Sequence, residues 1–230
     1  GDGDGEGDVL CDPWAQDCPE GHKCVPAAID EGDIFMIDKC VPVLGSGQPG
    51  DACNFDGFLP ATDDCGADSF CWNSAWVEQL GEVGTCTAFC EGTPEQPSCS
   101  TGTTCLTDEP GLLNLCVSGC NPLSQDCNLE PHDQIGCYFT GEAFACTQTT
   151  LDVPLGEPCD YINDCAPGFT CVAGDSLPSC AGESCCTSFC DMKMEVGGCS
   201  EIPETQCTAL WQNGTGPFGF EHVGTCQLPG

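Results

Sequence analysis

The chain is 230 residues long and carries 26 cysteines, 30 glycines, 18 prolines and only 7% aromatic side chains. That composition excludes a large apolar core and points to a small, loop-rich fold stapled by disulfides in an oxidising compartment. Thirty-seven acidic side chains face three lysines (Lys23, Lys39, Lys193) and no arginine, a net charge of −34, which excludes nucleic acid and anionic membrane surfaces as partners because both require a basic footprint.

Residues 1–10 form an acidic Gly/Asp segment, a composition that reads as a solvated linker. Asp2, Asp4, Glu6 and Asp8 are its candidate metal ligands, since they resemble the opening of a Ca²⁺ loop of the D-x-D-x-D-G type. The match stops at Pro13, where such a loop carries its bidentate glutamate. An extended segment of this kind can also dock on a neighbouring copy, and head-to-tail docking builds homo-oligomeric filaments.

The remainder of the chain repeats its cysteine spacing. Cys11-Asp-Pro-Trp-Ala-Gln-Asp-Cys18 recurs as Cys120-Asn-Pro-Leu-Ser-Gln-Asp-Cys127. Cys40 to Cys53 encloses 12 residues, as does Cys146 to Cys159. Cys65, Cys71, Cys86, Cys90 and Cys99 return 100 residues later as Cys165, Cys171, Cys186, Cys190 and Cys199. The spacing therefore predicts two tandem pseudo-repeats, 11–119 and 120–230. Each would hold a four-cysteine unit and an eight-cysteine unit, with bounds 11–52 and 53–119 in the first and 120–158 and 159–230 in the second. Only Cys180 and Cys185 lack a counterpart, which predicts that they bridge each other. The adjacent pair Cys185-Cys186 should not be joined, because that ring is strained. All other cysteines are expected to be bridged, in a connectivity that spacing alone does not give. The spacing from Cys159 through Cys165, Cys171, Cys185 and Cys186 to Cys190 is also similar to that of a knottin.

Secondary structure is expected to be short β-hairpins. Gly84–Cys90 and Phe169–Val172 read as strands, 54–57 and Asn213-Gly214 as turns, and Ser74–Leu80 as one or two helical turns. Trp14, Trp72, Trp76 and Trp211 read as the small apolar cores of the modules, with a sugar-stacking platform as the alternative.

Chemistry is sparse. No C-x₂-C pair and no H-E-x-x-H occurs, and bridged cysteines cannot ligate zinc. The thiol–disulfide oxidoreductase motif and G-x-S-x-G are likewise missing. His22, His132 and His222 sit beside turn residues, and carboxylate pairs such as Asp63-Asp64 are expected by number alone. The sequence does not read as an enzyme and implies no cofactor other than Ca²⁺. Asn213 begins the single N-glycosylation sequon, and Thr147, Thr149 and Thr150 are candidate O-glycosylation sites.

The segments Cys11–Cys24, Asp38–Pro42 and Gly156–Cys165 together resemble a family of uncharacterised cysteine-rich exported proteins of gliding, predatory bacteria. The resemblance implies export, and in many members a lipid-anchored start followed by a Gly/Asp linker. The sequence reads as a mature secreted or cell-surface product whose leader has been removed, without a membrane span. The reading that follows is a structural or adhesive subunit that self-assembles into a filament or matrix. Its alternative is a monomeric binding module: a receptor-like ectodomain, a protease inhibitor or a Ca²⁺-dependent sugar binder.

Overall fold

The computed structural model describes residues 10–31, 36–77, 81–108, 111–127, 134–141, 143–194, 198–211, 216–217 and 219–230, with the backbone alone at 76 and 77. It is built almost wholly of short antiparallel strands and loops and falls into two compact units that part between Val117 and Ser118.

In the first unit, β1 (His22–Ala27) pairs with β2 (Ile37–Pro42) so that Cys24 faces Cys40. Next, β3 (Ala52–Asn54), β4 (Ser69–Val77) and β5 (Gly81–Ala88) form a three-stranded sheet with β5 in the middle, and Cys71 faces Cys86. The small hairpin β6 (Glu91–Thr93) and β7 (Gln96–Ser98) follows, then β8 (Thr103–Thr107) paired with β9 (Asn114–Ser118). In the second unit, β10 (Ile135–Phe139) pairs with β11 (Phe144–Gln148), placing Cys137 opposite Cys146. The strands β12 (Phe169–Ala173), β13 (Ser184–Asp191), β14 (Gln206–Ala209) and β15 (Val223–Gln227) form one sheet in the order β12-β13-β15-β14. There Cys171 faces Cys186 and Cys207 faces Cys226.

Cysteines that face each other across a hairpin are not bonded to each other. Opposed Cβ atoms stand about 4.5–5.5 Å apart, wider than the ~3.8 Å a disulfide prefers. Each instead reaches a cysteine in the stretch of chain that precedes its hairpin. Every four consecutive cysteines of the first unit pair first with third and second with fourth: Cys11–Cys24 with Cys18–Cys40, Cys53–Cys71 with Cys65–Cys86, and Cys90–Cys105 with Cys99–Cys116. The second unit pairs in the same order: Cys120–Cys137 with Cys127–Cys146, Cys159–Cys171 with Cys165–Cys186, and Cys190–Cys207 with Cys199–Cys226. Cys180 is joined to Cys185, and no cysteine is free. The half-cystines themselves fill much of the interior, Cys24, Cys65, Cys137, Cys165 and Cys186 being fully buried.

Three expectations are corrected. The eight-cysteine stretch Cys53–Cys116 is two four-cysteine modules, because Cys90 and Cys99 open a new loop that closes on β8 and β9. The knottin-like spacing does not make a knot: Cys185 and Cys190 bond outside the set of six, to Cys180 and Cys207, so three bridges do not interlock within it. Ser74–Val77 is strand rather than helix. Trp72 opposes Thr85 and Ala75 opposes Val83, with a register shift between them at Asn73, whose φ of 51° is the left-handed kink of a bulge.

No disulfide crosses from one four-cysteine module to the next, so packing and hydrogen bonds join them. In the second unit the joint is apolar. Phe144 meets Phe189, Trp211 and Phe220 edge-on, with ring centroids 5.4–5.8 Å apart, over Ile135 and Val223. Trp211, itself half-buried, packs against this apolar cluster; Trp14 and Trp72 are half-buried as well, and the Trp76 side chain lies outside the described residues.

Candidate functional site

The Gln-Asp-Cys motif that opens each unit serves the backbone. Gln16, in a left-handed conformation (φ 48°), turns its amide onto the first strand. Its Oε1 accepts from the Cys24 N–H at 2.9 Å, and its Nε2 donates to the carbonyls of Cys24 and Pro13 at 3.0 and 2.9 Å. Asp17 accepts from the Asp12 N–H at 2.9 Å. The same bonds recur where Gln125 meets Cys137 and Pro122 and where Asp126 meets Asn121. The motif is an internal splint for the loop that presents the two loop cysteines.

The first unit holds a buried ion pair. Lys23 on β1 reaches Asp63 in the next module, Nζ to Oδ1 at 2.6 Å, with both side chains fully buried. All three ammonium protons are used, the other two going to the carbonyls of Ser69 at 2.7 Å and Gly66 at 3.2 Å. The carboxylate also accepts from the N–H groups of Cys65 and Cys71 at 2.8 and 3.1 Å. Burial lowers the Lys23 pKa, against the opposing hydrogen bond and charge of Asp63. Asp64, its neighbour in sequence, holds the Asn54 N–H and side-chain amide instead, so the Asp63-Asp64 pair does structural work. The other buried lysine, Lys39, donates to the Leu59 carbonyl at 2.6 Å.

A second group gathers carboxylates between the β1-β2 and β8-β9 hairpins of the first unit. Asp38 on β2 has a buried carboxylate oxygen, Oδ1, without a hydrogen-bond partner. Burial, then the charges of Asp108 and Asp12, push its pKa up to about 7. The Cys11 N–H bonds the Asp38 carbonyl at 3.4 Å, and the Pro13 carbonyl accepts from the Asn114 amide at 2.8 Å, so Asp12 stands between Asp38 and Asn114. Asp108 accepts from the N–H of Leu113, the residue before Asn114.

The residues singled out from sequence are dispersed. Asp2, Asp4, Glu6, Asp8, His132 and Asn213 lie outside the described residues. Thr147 and Thr149 are buried, the Thr149 hydroxyl donating to the Gln134 carbonyl at 3.1 Å, so neither offers a surface hydroxyl to a sugar. Thr150 is exposed, with its hydroxyl donating to the Asn163 carbonyl and to the Asp164 carboxylate. Asp164 also accepts from the N–H groups of Asp160 and Tyr161 at 2.9 and 2.8 Å. Burial works to raise its pKa, but these three hydrogen bonds outweigh it and hold the carboxyl below the ordinary value. His22 is exposed, and His222 Nε2 lies 3.9 Å from Asp191 Oδ1. Sulfur clusters such as Cys53, Cys65 and Cys71 lie within metal-ligand spacing, but each sulfur is spent in a disulfide.

The fold defines a disulfide-rich β-hairpin protein of the extracellular kind, since 13 bridges persist only in an oxidising environment. Among the described residues no helix is long and apolar enough to cross a membrane. No protein-family model, curated protein or solved structure matches the chain.

Proposed function

We propose that this chain is an extracellular structural or adhesive subunit that assembles with copies of itself, as an exported cysteine-rich surface protein of the bacterial group its sequence resembles. The observation that carries the reading is durability built in at every level. Each four-cysteine module is tied by two interlaced bridges, and two of the three lysines, Lys23 and Lys39, are buried in hydrogen bonds. A matrix component exposed to secreted proteases and lacking chaperones requires both. Negative-stain electron microscopy of the non-reduced chain, with Ca²⁺ and with EDTA, tests it: regular filaments are expected, and uniform small particles in both conditions reject it.

A monomeric binding module is the second reading, favoured by one observation. Leu151 (68% exposed) and Tyr161 (72% exposed) are carried by two loops joined through the Thr150 N–H and the Asn163 carbonyl at 2.9 Å, with Ile162 beside them. Exposed aromatic and aliphatic side chains gathered in this way mark contact surfaces. Uniform particles that bind immobilised glycans or proteins, with loss of binding in Tyr161→Ser, would select this reading over assembly.

A further inference from the structure

We propose that Asp12, Asp38, Asp108 and Asn114 bind a hard divalent cation, Ca²⁺ in class, that locks the β1-β2 hairpin of the first unit to the β8-β9 hairpin. The inference is independent of self-assembly.

Two buried oxygens in this group have no hydrogen-bond partner, Asp38 Oδ1 and Asn114 Oδ1. Asn114 is 1% exposed, its amide nitrogen is fixed on the carbonyl of Pro13, the residue after Asp12, and the N–H of its neighbour Leu113 is held by Asp108. Buried polar oxygens in native proteins have partners. Here the surrounding groups are carboxylates, which donate nothing when ionised and repel each other. A cation answers both deficits at once.

The second unit supplies the comparison. Counting from the bonded cysteines, Asp38 stands two residues before Cys40, and Phe144 stands two before Cys146. Asp108 stands three after Cys105, and Leu210 three after Cys207. Asn114 is two before Cys116, and Gly224 two before Cys226. In the second unit Phe144 is a centre of the apolar cluster, with Leu210 packed against it. The first unit therefore holds acids and an amide where the second packs an aromatic ring and a leucine. An apolar joint closes by burial alone, whereas an acidic joint closes when its charge is neutralised.

The donor set selects the class. Every candidate ligand is oxygen, which suits Ca²⁺ and Mg²⁺, and the sulfurs are all bridged. Ca²⁺ tolerates irregular geometry and water in its shell, whereas Mg²⁺ demands a near-ideal octahedron. A site of three carboxylates and an amide fits the extracellular range, with Kd on the order of 10⁻⁴–10⁻³ M.

The test uses Tb³⁺ as the probe on the full, non-reduced chain. The Trp14 N–H donates to Asp12 Oδ1 at 2.9 Å, so this tryptophan is placed to sensitise a lanthanide at the site. Tryptophan-excited Tb³⁺ emission should saturate, be displaced by Ca²⁺, and weaken about ten-fold or more in apparent affinity in Asp38→Asn and in Asp108→Asn. The exposed Asp175→Asn and a variant neutralising Asp2, Asp4, Glu6 and Asp8 together should retain it. Asp38→Asn removes a repelled charge, so in EDTA it should melt at or above wild type, and Ca²⁺ should raise the wild-type Tm but not that of the variant. Unsaturable emission, emission that survives Asp38→Asn, emission that vanishes with the N-terminal tract, or an equal Ca²⁺ shift in both proteins would each overturn the site.

Discussion

Replacing Lys23 with methionine keeps the aliphatic stem and deletes only the ammonium. In the wild type that ammonium answers Asp63 and the carbonyls of Gly66 and Ser69. The variant strands a carboxylate with zero exposed surface, supported only by the N–H groups of Cys65 and Cys71. Breaking a buried pair from one side costs about 3–5 kcal/mol, whereas an exposed pair would cost under about 1 kcal/mol. At roughly 4 °C per kcal/mol for a unit of this size, the first unit's Tm should fall by about 10–20 °C. Differential scanning calorimetry of the non-reduced protein reads this directly, because Lys23 and Asp63 both lie in the first unit and the second unit's transition should stay in place. Adding Asp63→Asn should recover part of the loss, since the stranded charge disappears. A drop under about 1 kcal/mol, or a double variant as unstable as the sum of the singles, would refute the view that this pair joins the first module to the second.

Three further outcomes follow from the geometry. Asp164→Asn should destabilise the second unit at neutral pH: the folded carboxyl is held below its unfolded value, so its contribution is complete above about pH 4 and is lost as pH falls through the folded pKa, and urea melts of variant and wild type should converge at the acid end. Removing the Cys180–Cys185 bridge by double serine substitution opens a loop of sequence separation 5 and should cost about 2 kcal/mol, against about 3.5 kcal/mol for Cys199–Cys226 with separation 27; urea titration with ordinary thiols blocked checks the order. Trypsin should cut the native protein after Lys193, the exposed lysine, and leave Lys23 and Lys39 intact; because Cys190–Cys207 spans the cut, two fragments should separate on a gel only after reduction.

Local features were legible in the sequence, and convergences over distance were not. The spacing of Cys180 and Cys185, and strands such as Phe169–Val172, follow from neighbours in the chain. The division of Cys53–Cys116 into two modules depends on which cysteines the hairpins set opposite each other, and spacing alone does not encode that. The Ser74–Leu80 segment misled because its composition suits a helix, while β5 supplies Ser74–Val77 with a ladder of hydrogen bonds that a lone segment cannot show. With 37 acids in the chain, Asp63 and Asp38 carry no individual mark. Their roles arise from Lys23, 40 residues from Asp63, and from Asp12 and Asp108, which only the folded loops bring near Asp38. The repeated Gln-Asp-Cys motif was visible as a pattern, but its work as a splint for Cys24 and Cys137 required the left-handed turn at Gln16 and Gln125.

The distribution of covalent bonds locates the places where this protein can yield. Within a four-cysteine module the two bridges fix both strands to the stretch of chain that precedes them, so mechanical or thermal stress has little to release there. Between modules nothing covalent holds beyond the chain itself. In the first unit the joints are polar: Lys23 with Asp63, the Pro13 carbonyl with Asn114, and the acids around Asp38. In the second unit the corresponding places are occupied by the Tyr138 hydroxyl on the Cys165 carbonyl at 2.6 Å and by the Phe144 cluster. Polar joints respond to ions and pH, while apolar joints respond weakly to either. Removal of divalent cation at neutral pH should therefore loosen the first unit before the second. Amide hydrogen exchange in EDTA, compared between β9 and β15, would expose that asymmetry, and equal protection in the two strands would contradict it.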